Sequence, residues 1–172
     1  MIVIEDLLVP DGAREYAAKP EMDPLTEEDA LLEAQLLDLR FDVLRSSLAL
    51  LFELRLALQL REGNTGVLVA HGVRRCGWSA NARMTDKTAW TVVGSVPRAQ
   101  NQLFNLRLAI HPYAEFDLAA TSAAFYTGDV PGLVEIPDYG QDDEVTIRAG
   151  LASWGSQFSP IHAVFLDPAP GD

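Results

Sequence analysis

The chain is poor in the residues that usually carry chemistry. It has one cysteine, Cys76, among 172 residues, so no internal disulfide can form, and such thiol usage fits a reducing compartment. The three histidines, His71, His111 and His162, are far apart in sequence and lack neighbouring Cys or carboxylates at zinc-ligand spacing. No apolar run approaches the roughly 18 residues of a membrane span, and the start Met1-Ile2-Val3-Ile4-Glu5-Asp6 turns acidic too soon for a signal peptide. No phosphate-cradling G-x-x-x-x-G-K-[ST] or G-x-G-x-x-G occurs. Ser95, Ser153 and Ser156 sit outside any G-x-S-x-G elbow, and Cys76 follows two arginines with no matching base in view. The expectation is a cytoplasmic chain with no catalytic residue, cofactor or metal that the sequence can identify.

Base is scarce as well: 13 Lys and Arg against 25 Asp and Glu give a net charge of −12. The layout is uneven. Residues 1–33 hold 10 acids and 2 bases, residues 34–112 hold 5 acids and 10 bases, and residues 113–172 hold 10 acids and 1 base. A mildly basic centre therefore lies between two acidic flanks. Either the flanks fold back and neutralise the centre, or one of them is a docking surface for a basic partner, since complementary charge speeds encounter and selects partners. The total charge disfavours nucleic acid as a ligand.

What is present is apolar patterning. Hydrophobic residues make up 48% of the chain and mean hydropathy is +0.06, values of one globular domain large enough to bury a core. Leu37, Leu39, Phe41 and Val43 alternate with Asp38, Arg40 and Asp42; Leu50, Phe52, Leu54, Leu56, Leu58 and Leu60 alternate with Glu53, Arg55, Ala57 and Gln59. These are helix-forming residues at strand spacing. On a helix, residues two apart are separated by 200°, so no apolar stripe would form. Helix propensity varies by only ~0.7 kcal/mol per ordinary residue, whereas burying Leu or Phe contributes roughly 1.5–3 kcal/mol, so the strand period should win. The expectation is a hairpin with a four-residue loop, Arg45 to Leu48, because that register sets Arg40 opposite Glu53 and Asp38 opposite Arg55.

Along the rest of the chain, Pro10-Asp11-Gly12 reads as a turn and Thr26 as the cap of a short helix ending near Ala34. Strands are expected from Thr65 to Val73 and on through Trp78, with Gly72 marking a bulge. Further strands are expected at Thr88–Val96, Leu103–Ile110, Glu115–Tyr126 and Ile161–Leu166. Polar loops should cover Ser79–Lys87 and Gly128–Asp143, with a short helix over Glu144–Trp154 and a Pro-rich tail. The fold class is mainly β: a twisted antiparallel sheet or sandwich of about six to seven strands with one or two short helices. Residues 1–33 form an acidic N-terminal segment, 34–127 the antiparallel core, and 128–172 an acidic loop, short helix and last strand.

Candidate partner-binding residues are Glu115 and Asp117 on one strand face, Asp138, Asp142, Asp143 and Glu144 in the acidic loop, and Trp154 beside it. The loop acids lack the EF-hand order that calcium needs. His71, on a strand between Val69 and Val73, reads as a core or half-buried histidine. The alternating runs Leu37–Val43 and Leu106–Ile110, with the acidic, aromatic strand Glu115–Tyr126, make residues 34–127 resemble immunity-type proteins of bacterial toxin systems. That resemblance implies a non-enzymatic protein that blocks a basic toxin by docking, and it carries over no functional residue; Leu, Ala and Arg usage suggests a GC-rich bacterial gene. Two alternatives stay open: a small enzyme or ligand-binding β-barrel, favoured by a pocket that collects His71 or His111 with a carboxylate, and a structural or oligomeric component.

Overall fold

The computed structural model describes residues 1–9, 18–81 and 87–167, which contain eight strands. They are β1 (Ile2–Val3), β2 (Gln35–Asp42), β3 (Ser47–Glu53), β4 (Thr65–Ala80), β5 (Trp90–Gln100), β6 (Leu103–His111), β7 (Ala114–Asp129) and β8 (Gln157–Leu166). A 3-10 turn, Ile4–Leu8, and one short helix, α1 (Glu144–Ala149), complete the regular structure. All strand pairs are antiparallel, in the order β1-β8-β7-β4-β3-β2-β5-β6.

Because β6 also pairs with β7, the six strands β2, β3, β4, β7, β6 and β5 close into a barrel. The length of β7 makes this possible. Its first half, Ala114–Ala120, takes β6 as neighbour, and its second half, Ala123–Asp129, takes β8. The narrowest seam is β2–β5, with only Gln35↔Thr91 and Leu36↔Trp90 in register. Irregular chain continues that seam: Asp29 N–H bonds Ser95 O at 2.9 Å, Glu33 N–H bonds Val92 O at 2.8 Å, and Val92 N–H bonds Ala34 O at 2.8 Å.

Two apolar cores lie on opposite faces of the shared strands. Inside the barrel are Leu48, Leu50, Phe52, Leu68, Phe104, Leu108, Phe116, Leu118 and Phe125, with Leu25, Leu31, Leu54 and Leu60 packed among them. On the outer face Ala49, Leu51, Val67, Val69, Ala124 and Tyr126 are covered by Ile4, Leu7, Val130, Ala152, Trp154 and Phe158. Thus β3 is buried on both faces, which is why its alternation separates two cores and not core from solvent.

That covering layer overturns the expected hairpin register. The hairpin forms, but its loop is Val43–Ser46, two residues earlier than expected, and Arg40 faces Ala49 while Asp38 faces Leu51. The anticipated Arg40–Glu53 and Asp38–Arg55 pairs are absent. A cross-strand charge pair contributes about 0.2–1 kcal/mol, less than one buried Leu or Phe, so the register that fills both cores prevails. The charges are spent between layers: Trp154 Nε1 donates to Asp38 at 2.9 Å, and Arg40 meets Glu5 at 3.5 Å with its guanidinium 5.1 Å from the Trp154 ring centroid.

Other expectations change as well. The strand run from Leu50 stops at Glu53; Leu54 and Leu60 turn into the barrel, and Leu56 and Leu58 are exposed. Residues 26–34 form turns instead of a helix, with Asp29 and Glu33 at φ of 60° and 65°, because their N–H groups are drawn to β5. Asp23, not Thr26, organises the first of these turns by accepting from Leu25 N–H at 2.8 Å. The final helix ends at Ala149, five residues short of Trp154. β5 runs through Pro97, and β4 extends to Ala80. Gly72 does lie next to a register shift, between Val73 and Arg75; at φ +63° its Cβ would stand 2.1 Å from Thr121 Oγ1. The expected turn at Pro10-Asp11-Gly12, most of the loop before β5 and the Pro-rich tail lie outside the described residues.

Candidate functional site

The segment after β7 is the acidic flank, and its conformation follows from its own side chains. Asp138 accepts from Gly140 N–H at 2.9 Å and Gln141 N–H at 3.2 Å. Asp142 Oδ2 accepts from Asp138 N–H at 2.8 Å, and Asp143 caps α1 through Thr146 N–H at 2.8 Å. The capping bonds from Thr146 hold the Asp143 carboxyl below its ordinary range. These carboxylates fix the loop while their charge faces outward, together with Glu135 and Glu144 and with Val134 and Val145, which are 86% and 79% exposed. Arg148 pairs with Glu144, and Lys87 Nζ donates to Asp142 O.

Beneath this loop is a buried ion pair. Glu53, 1% exposed, receives Arg55 through Nε at 2.8 Å and Nη2 at 2.7 Å; Nη2 also donates to Gly150 O at 2.7 Å, and Nη1 has no partner among the described residues. Tyr139 OH reaches Gln35 Oε1 at 3.4 Å. Burial, and secondarily the Glu53 charge, push the Tyr139 phenol upward against the opposing pull of Arg55.

The sequence-predicted residues do not form one patch. Asp138, Asp142, Asp143 and Glu144 come together in the loop. Glu115 and Asp117 lie at the other end of β7, where Asp117 meets Arg75 at 3.4 Å and faces Arg107 across the β6–β7 pair. Trp154 is buried in the outer core, so its role is to hold the covering layer on β2. Trp78 and Trp90 pack edge to face at 5.2 Å, with Trp78 43% exposed.

One arrangement was not legible in the sequence. Ser47, His71 and Ser122 are register partners across β3, β4 and β7, so their side chains share the outer face. Ser47 Oγ is 3.1 Å from His71 Nδ1. They line a cleft of about 500 Å³ with Arg45, Tyr126 and Asp167. The strand reading around His71 was the only available signal, and it did not reach the partners, because cross-strand neighbours are separated by whole hairpins. Cys76 and His111 are exposed, and among the described residues no three His, Cys, Asp or Glu side chains are grouped to hold a metal ion. No described helix is long and apolar enough to cross a membrane.

No family model matches the chain, and no curated protein matches it. A crystal structure of an uncharacterized protein from Neisseria gonorrhoeae is similar over 55% of this chain and 90% of that one, at 15% identity and a TM-score of 0.42.

Proposed function

We propose that the protein is a non-catalytic binding protein that docks a basic protein partner through the acidic loop between β7 and α1 and the first turn of α1, as an immunity-type protein would. The observation that carries this reading is the pairing of outward carboxylates with the exposed Val134, on a loop already locked by its own hydrogen bonds, and the exposed Val145 in the adjoining first turn of α1. A preorganised loop loses little entropy on docking, apolar anchors supply contact area, and the charge steers a basic partner. The filled barrel interior is consistent with work done at the surface.

The test uses the full chain as bait in extract of its native host. The expected captured partner is basic, bound at low salt and released as the Debye length falls from about 10 Å at 0.1 M to about 3 Å at 1 M. Reversing Asp138 and Glu144 to Lys should abolish capture; reversing Glu115 and Asp117, an equal change in net charge, should not. Equal loss from both pairs, or capture indifferent to salt, rejects the reading. The Ser47–His71 contact, sharing a cleft with Asp167, favours a second reading as a small hydrolase, which labelling of Ser47 by a fluorophosphonate would support and inertness would remove.

A further inference from the structure

At the end of the β7–β8 pair, away from the acidic loop's outward carboxylates, two buried polar atoms have no partner among the described residues. Thr127 and His162 are register partners, so their side chains lie on one face, the face that carries Phe125 and Val164 into the barrel core. Thr127 is 1% exposed, and among the described residues neither its Oγ1 nor His162 Nδ1 has a hydrogen-bond partner. His162 Nε2 is engaged by the Glu62 carboxylate. Both residues line a cleft of about 610 Å³, within the usual ligand range of roughly 300–1,000 Å³. Its apolar surface comes from Met22, Leu58 and Leu60, and its charged rim from Lys19, Glu21 and Arg61. The 18–22 side of the cleft is fastened to β8 by Ala163 N–H bonding Ala18 O at 2.9 Å.

The chemistry of the two orphaned atoms selects a ligand. A carboxylate only accepts, so Glu62 places a proton on Nε2, and in the neutral ring Nδ1 is then an acceptor. The neighbouring Thr127 hydroxyl can donate or accept. A group that donates to Nδ1 while accepting from Thr127 satisfies both, and an alcohol hydroxyl does so. The mixed-sign rim and apolar lining suit further hydroxyls and the C–H face of the same molecule. We propose that this cleft binds a neutral polyhydroxylated small molecule, anchored by one hydroxyl between His162 and Thr127, with Glu62 as the positioning residue that sets the histidine tautomer. Both atoms are inaccessible to solvent in the free protein, so binding requires the atoms that cover them to part. The site is independent of the proposed docking loop.

The experiment is saturation-transfer difference NMR on the full chain with glucose, myo-inositol and maltose, combined with long-range ¹H–¹⁵N spectra of the His162 ring. Saturable binding of at least one probe is expected, with an Nε2–H ring in the free protein. Thr127→Val removes the orphaned hydroxyl with little change of shape, so the variant should fold and should weaken that binding about tenfold or more. Glu62→Ala should weaken it as well and should alter the His162 tautomer signature. No saturable binding of any of the three probes, binding unchanged in Thr127→Val, or a ring protonated on Nδ1 in the free protein would overturn the proposal.

Discussion

Arg55 joins the strand layer to the covering layer through a carboxylate and a carbonyl. Removing it strands Glu53 in a site that is 1% exposed. Loss of one partner of a buried pair typically costs about 3–5 kcal/mol, whereas exchanging both for apolar residues is often close to neutral. Arg55→Met should therefore lower the urea midpoint sharply with an unchanged m-value, and Glu53→Leu/Arg55→Met should recover most of the loss. Tyr139, close by, makes a prediction of opposite character. Its phenol is raised above 10.0, first by burial and then by Glu53. A raised folded value means that its contribution to stability is present in full below the unfolded pKa and is lost as pH rises through the folded one. Tyr139→Phe should flatten the alkaline limb above about pH 10 relative to the wild type, measured as Tm against pH. None of this pairing was legible beforehand: Glu53 and Arg55 read as exposed charges on a strand, because nothing in a linear pattern says that a segment some 90 residues later will cover that face.

At the scale of elements, the β2–β3 hairpin separates what periodicity can decide from what it cannot. Period 2 correctly made this stretch a hairpin despite its helix-forming residues, while the bulge beside Gly72 was signalled by the glycine itself. It could not say where the run of leucines leaves the sheet, because a leucine that caps the barrel end and one that lines its wall look alike. The structure orders them: Leu50 is fully buried, Leu56 is 53% exposed and Leu44 is 94% exposed at the turn. Leu50→Ala should cost about 2–5 kcal/mol, while Leu44→Ser and Leu56→Ser should stay within about 0.5 kcal/mol. Denaturant titration of the three variants checks the assignment, and a large loss at Leu56 would restore the longer strand. The missing helix at residues 26–34 has the same origin. Local capping signals were present, but tertiary hydrogen bonds to β5 at the barrel's narrowest seam drew the same N–H groups into turns.

For the whole molecule, the two cores share β3, β4 and β7, so neither should unfold alone. Trp154 reports the covering layer and the Trp78–Trp90 pair reports the barrel. Fluorescence of a Trp154→Phe variant and of a Trp78→Phe/Trp90→Phe variant should give coincident denaturation curves once each is normalised for its own stability. Separated transitions would mean that the outer layer is an independently melting cover. The proposed docking loop stands on that layer, so its order depends on the same cooperativity.

The amino-acid order alone determined that this chain is mainly antiparallel β with little helix, where most strands lie, and that acid is concentrated at its flanks. Those features follow from side-chain period and charge, which are local. Barrel closure, burial of β3 on both faces, the hairpin register, the Ser47–His71–Ser122 row and the Glu62–His162–Thr127 cleft were decided only by tertiary structure. Each depends on which strands become neighbours, and that was set by filling two cores at once, a global packing condition that no local window of sequence contains.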